Sequence, residues 1–193
     1  MIRARRALLG ALASMFFGSA GNTQGQPEPR IEQSLTTYEI HGTTARELTQ
    51  QMVTLGPPDG DGRRFAANTR WTVRWTYPYA RSARGCTTGP VRTDVTVKIV
   101  LPHWIPVRPQ LETEWVRFSR ALRHHEDGHR EIGVEAAREI AAALVRLEPQ
   151  PTCEALETAA DSLGERLLQE ARNRDKRYDR ETNHGQTQGA RMR

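Results

Sequence analysis

The sequence predicts an α+β fold, a small antiparallel sheet packed on one long helix and a C-terminal helix. Three observations carry that expectation. Trp71, Val73, Trp75 and Tyr77 alternate with polar residues, and Val91, Thr93, Val95, Val97, Ile99 and Leu101 alternate again, the period of two of half-buried strands. Between Leu111 and Leu147 the period changes. Leu111, Trp115, Phe118, Leu122, His125, His129, Ile132, Ala136, Ile140, Leu144 and Leu147 recur every three or four residues, as one helix face does. After Glu148-Pro149-Gln150-Pro151, a second such face is formed by Leu156, Ala160, Leu163, Leu167 and Ala171.

Taken in order, the chain opens with Arg3, Arg5 and Arg6, then a short apolar run to Phe17 and the small residues Gly18-Ser19-Ala20. That is the pattern of a secretory signal peptide over residues 1–20, too short to span a membrane. A polar, proline-containing leader over residues 21–34 has no core-forming pattern. Tyr38 to His41 reads as a short strand. Thr44-Ala45-Arg46-Glu47 is a capping-box pattern opening a helix with Ala45, Leu48, Met52 and Leu55 on one face, stopped by Gly56-Pro57-Pro58. The two alternating strands follow, expected to pair antiparallel, the second ending at Pro102. Whether Leu111 to Leu147 is one helix or two is open, though no proline interrupts it. Thr152 is placed to cap the last helix, and beyond about Tyr178 composition alone reads as a polar, basic tail.

Charge argues against a nucleic-acid partner. The formal net charge is +5, and loss of Arg3, Arg5 and Arg6 with the signal leaves +2. From Arg172 onward seven basic and three acidic residues supply +4, so the body between is slightly acidic at −2. About 170 mature residues suffice for one domain with a real core. Cys86 and Cys153 are the two cysteines, and an even pair in an exported chain predicts a disulfide. It would close a loop of roughly 70 residues, worth about 4 kcal/mol in the chain-entropy model.

The chemistry lies in the middle of the long helical stripe, at His125-Glu126-Asp127-Gly128-His129. Two imidazoles four residues apart on a helix share one side and can share one metal ion. Glu126 lies about 100° around from His125, beside the metal, where a general base belongs. This is the H-E-x-x-H arrangement of zinc peptidases. His124, next door, is a reminder that a histidine here need not be a ligand. Both His125 and His129 occupy the buried stripe, where an unpaired imidazole pair would be costly and a metal is the usual remedy.

A catalytic zinc takes three protein ligands. Glu135, six residues past His129, points about 100° away on an unbroken helix and would serve only if the helix broke near Gly133. An antiparallel helix starting at Thr152 comes level with His129 near residue 170, which puts Glu154 and Glu157 at the wrong end. Glu165, Glu170 and the stretch Tyr178-Asp179-Arg180-Glu181-Thr182-Asn183-His184-Gly185 remain.

At these residues the sequence resembles a bacterial family of predicted secreted zinc-dependent proteases, catalogued as domain of unknown function 922. The resemblance runs from Tyr38 to Gly42 with the helix after it, through Gly56-Pro57, Trp71 to Tyr77, Cys86 and Leu101-Pro102 with Trp104. It ends with His125-Glu126-x-x-His129, Cys153 and Tyr178-Asp179-x-x-Thr182-x-His184-Gly185. It implies a zincin-like metallohydrolase over residues 35–185, with 186–193 as tail, secreted or periplasmic. The reading taken is Zn²⁺ on His125, His129 and His184, with Asp179 the second choice for the third ligand or a group orienting a ligand histidine. Glu126 is the general base, and Tyr178 is an oxyanion donor or else a helix-end packing residue. The expected partner is a peptide or protein substrate, with no nucleic acid and no stable membrane span once the signal is removed. Two alternatives stay open: a metal-dependent amidase acting on cell-wall peptides, and a non-catalytic exported metal-binding protein.

Overall fold

The computed structural model describes residues 28–59, 61–106 and 109–193, so the signal-peptide expectation for residues 1–20 lies outside it. In chain order the elements are β1 (Arg30–Gly42), α1 (Ala45–Leu55), β2 (Asn68–Thr76), β3 (Tyr79–Ser82), β4 (Gly85–Thr88), β5 (Arg92–Pro106), α2 (Glu112–Val145) and α3 (Cys153–Thr182). The α+β class, the sheet, the long helix and the C-terminal helix are all present.

The sheet is mixed, with strand order β1-β5-β2. β2 and β5 pair antiparallel as expected, with Val73 opposite Val95 and Trp71 opposite Val97. β1 corrects the expected antiparallel sheet, because it runs parallel to β5 from Arg30↔Asp94 to Gly42↔Pro106. It also starts inside the expected leader, eight residues before Tyr38. Its first eight residues are all exposed, Leu35 at 49% among them, so no buried face marks the strand in the sequence. Backbone pairing to β5 is what orders it. β5 likewise continues through Pro102 to Pro106. Its pairing with β2 stops at Val100, so Pro102 sits where β5 has a neighbour on one side only, the position that tolerates a missing N–H.

Leu111 to Leu147 resolves into one unbroken 34-residue helix, α2, after a 3₁₀ turn at Pro109–Leu111. Val134 and Ala137 pack under Val95, Val97 and Ile99 of the sheet. Further along, Ile140, Ala141 and Leu144 meet Ala160 and Leu168 of α3. Gly133 has a reason to be glycine in mid-helix, since a Cβ there would stand 2.7 Å from Trp71 Cγ. The helix does not break at Gly133, and Glu135 is exposed beside Arg138. Both expected N-caps form: Thr44 Oγ1 accepts from Glu47 N at 3.2 Å and Thr152 Oγ1 from Ala155 N at 3.1 Å. Glu47 completes the first cap by accepting from Thr43 N at 2.7 Å, one residue earlier than a reciprocal box would place it.

β3 and β4 form a separate two-stranded sheet. β4 is tied to the turn before α3 twice, by paired backbone bonds between Cys86 and Gln150 of 2.8 and 2.9 Å and by the Cys86–Cys153 disulfide. The residues expected to be a tail are folded. α3 continues to Thr182, a 3₁₀ turn spans Gln186–Gln188, and Ala190 is buried in a cluster with Leu122 and Phe118. No helix among the described residues is long and apolar enough to cross a membrane.

The disulfide closes a separation of 67 residues, for which the chain-entropy model gives about 4 kcal/mol. Cys86→Ala/Cys153→Ala is expected to lower the unfolding free energy by about 2–4 kcal/mol in denaturant titration. An unchanged midpoint would show that the two Cys86–Gln150 backbone bonds suffice.

Candidate metal centre

α2 carries His125 and His129 on the face that looks into the protein, and both are buried, 3% and 5% exposed. Their rings are nearly perpendicular, 4.8 Å apart at the centroids, and the two Nε2 atoms approach to 3.3 Å. α3 brings Asp179 against both: its Oδ1 lies 3.2 Å from His125 Nε2 and 3.1 Å from His129 Nε2. Three donor atoms thus form a near-equilateral triangle. A tetrahedral zinc with bonds of about 2.0–2.1 Å spaces its ligands about 3.3–3.4 Å apart, so the triangle is the size of a metal's coordination face.

The outer nitrogens explain why the inner ones converge. His125 Nδ1 lies 3.0 Å from Gln188 Oε1, and His129 Nδ1 lies 2.8 Å from Asp175 Oδ1. Both partners are acceptors, so each Nδ1 carries a proton and donates it outward. The neutral tautomer then turns an Nε2 lone pair toward the other histidine and toward a carboxylate. Lone pairs facing a carboxylate need a cation or a proton between them. Without a metal, a proton answers. Burial alone would lower the His129 pKa, but the hydrogen bonds and charges of Asp175 and Asp179 outweigh it and raise it to about 10. Burial likewise pushes Asp179 up, and the bonds to His125 and His129 overcome it and hold the carboxyl well below the usual range.

Glu126 is 3% exposed and faces the same cleft. Thr69, from β2, donates its hydroxyl to Glu126 Oε2 at 2.7 Å. Burial raises the Glu126 pKa above the ordinary carboxylate value, against the opposing pull of Thr69, His129 and His125. The cleft holds about 190 Å³ and is lined by Asp59, Arg63, Phe65 and Asn68 together with Leu122, the two histidines and Asp175.

His184, the expected third ligand, is not in the compact set, and Asp179 takes the place. The reason is the length of α3, which carries past Tyr178 to Thr182 and then turns through three left-handed residues, Asn183, His184 and Gly185. The His184 ring is exposed at the rim, 4.8 Å from the Phe65 ring and with Nδ1 3.3 Å from Asp179 Oδ1. Tyr178, the expected oxyanion donor, stands behind the histidines. Its ring stacks on His125 at 5.0 Å, and its hydroxyl takes a bond from Gln188 Nε2 at 3.0 Å and donates to His125 O at 3.4 Å. There the ring packs on His125. Glu165 and Glu170 are exposed, the latter paired with Arg166, and His124 is exposed too. Sequence reasoning missed Thr69, Asp175 and Gln188. Asp175 had a signal, since Ala171, Asp175, Tyr178 and Thr182 continue the inward stripe of α3. Thr69 and Gln188 had none.

Fold and site together define an α+β protein with a buried two-histidine, one-carboxylate group able to hold a metal ion. The family profile described as "Bacterial protein of unknown function (DUF922)" matches residues 35–185, and the chain belongs to that family. No curated protein and no solved structure matches it.

Gly128, between the two histidines, has the Tyr178 phenol over it: an added Cβ would lie 2.2 Å from the hydroxyl oxygen. Gly128→Ala should therefore destabilise by about 1–3 kcal/mol, overturning the gain of about 1 kcal/mol that alanine brings to an open helix. In a Tyr178→Ala background the loss should fall by more than half. Equal losses in chemical unfolding would remove the phenol as the cause.

Proposed function

We propose that the chain is an exported zinc-dependent metallopeptidase, with His125, His129 and Asp179 as the metal's protein ligands and Glu126 as general base. The observation that carries this reading is the 3.1–3.3 Å triangle of His125 Nε2, His129 Nε2 and Asp179 Oδ1, with Glu126 facing the same cleft. A zinc ion held there supplies Lewis-acid polarisation of a scissile carbonyl and lowers the pKa of water.

The chain's own residues supply the rest. Glu126 takes a proton from the attacking water and passes it to the leaving amine. Its burial keeps bulk water away from a group that must hold a proton between the two steps. Thr69 fixes Oε2, which leaves Oε1 to do the proton transfer. The substrate is a peptide or protein. β5 is the central strand, so among the described residues no strand pairs with the outer edge of β2, whose first residues Asn68 and Thr69 line the cleft. An extended peptide can lie along that edge. Export is supported by the signal-like residues 1–20 and by the Cys86–Cys153 disulfide, which suits an oxidising compartment.

Glu126→Gln should keep its zinc and lose peptide hydrolysis by about 100-fold or more. Full zinc with unchanged hydrolysis would end the catalytic reading. Asp179→Ala should reduce zinc content, by elemental analysis after dialysis, far more than His184→Ala. The reverse order would return the third ligand to His184.

A further inference from the structure

His125 and His129 are held differently. His129 leans on a carboxylate of α3, whereas His125 leans on a neutral amide from the segment that follows the family-matched residues. We propose that Gln188 is a positioning residue of the metal centre, fixing the tautomer and ring plane of His125 and so setting metal affinity from outside the helix pair. This rests on the metal reading given above.

Three bonds close a ring. His125 Nδ1 donates to Gln188 Oε1 at 3.0 Å, Gln188 Nε2 donates to Tyr178 Oη at 3.0 Å, and Tyr178 Oη donates to His125 O at 3.4 Å. In that ring His125 Nδ1 and Gln188 Nε2 only donate and Gln188 Oε1 accepts, while the phenol oxygen both accepts and donates. The amide orientation and the imidazole tautomer therefore determine one another. Reversing either one would set two donors or two acceptors face to face.

The backbone is shaped to deliver Gln188. After α3, Asn183, His184 and Gly185 adopt φ of 47°, 50° and 81°, a left-handed reversal that two non-glycine residues enter at some strain. Gly185 passes so close to the ligand that a Cβ would lie 2.9 Å from His125 Cγ. Beyond it the segment is anchored at two points away from the metal. Arg117 donates to Gly189 O at 2.9 Å and to Arg191 O at 2.7 Å, and Ala190 is buried among core side chains. The anchors secure the segment, and Gln188 is its contact with the ligand's outer nitrogen.

The test is zinc affinity of the full chain by competition with a chromogenic chelator, together with the imidazole N–H resonance of His125. Gln188→Ala is expected to weaken zinc by about 10- to 100-fold and to broaden away that resonance. Gln188→Met, which keeps the length of the side chain but not its acceptor, should do the same if the alanine variant folds poorly. Gln188→Glu restores an acceptor and should recover affinity to within a few-fold of wild type. Gln186→Ala, exposed on the same turn, should change nothing. Gln188→Ala or Gln188→Met with wild-type affinity, or equal losses in Gln186→Ala and Gln188→Ala, would overturn the proposal while leaving the metal reading intact. A wild-type chain that takes up no zinc would overturn the metal reading itself.

Discussion

The register of α3 against α2 is the constraint on which the site depends. Asp179 touches both imidazoles at 3.1 and 3.2 Å only because α3 reaches His129 at one particular height. A slip of one helical turn, about 5.4 Å, would carry the carboxylate out of reach of either nitrogen. Several contacts along the pair oppose that slip. Cys153 is fastened to β4 at one end, Ile140 and Leu144 interlock with Ala160 and Leu168 in the middle, and Arg174 meets Glu139 at 2.7 Å beyond them. Apolar packing remote from the chemistry thus helps to fix where the carboxylate stands.

With that register set, the cluster holds one charge problem and two solutions. Two imidazoles and a carboxylate converge with their acceptor atoms inward, and a proton or a metal ion can satisfy them. Proton and metal therefore compete for the same atoms. Asp175 favours either, because a carboxylate behind His129 makes that imidazole a better base and a better ligand. Trp71 Nε1 donates to the same Asp175 oxygen at 3.1 Å, so the sheet steadies the group that steadies the ligand.

Much of this was legible in the sequence, and the exceptions have physical causes. The alternation in β2 and β5, the stripe of α2 and the capping threonines report local burial, and local burial is what periodicity records. β1 escaped because Arg30 to Thr37 buries nothing and is held by backbone bonds to a distant partner. The end of α3 escaped because Arg172 to Glu181 is rich in charge, although its inward positions continue the stripe. Helix rise alone brings α3 level with His129 near residue 170, yet the carboxylate that meets His129 belongs to Asp179. Helix rise compares Cα atoms, whereas side chains tilt toward their own helix N-terminus. In an antiparallel pair, His129 leans away from the connecting turn and Asp179 leans toward it, so the partner lies further along α3 than the rise suggests. Gln188 acts through a reversal of the chain after the helix, which no local pattern encodes.

The parallel pairing of β1 with β5 bears on how the molecule assembles. Arg30 meets Asp94, about sixty residues downstream, and the central strand is the last of the three to be reached along the chain. Among the described residues β1 and β2 each pair with β5, which lies between them, and not with each other. Closing the sheet thus carries the loop-closure cost of a long sequence separation, whereas α2 and α3 follow one another across a short turn and associate at small entropic expense.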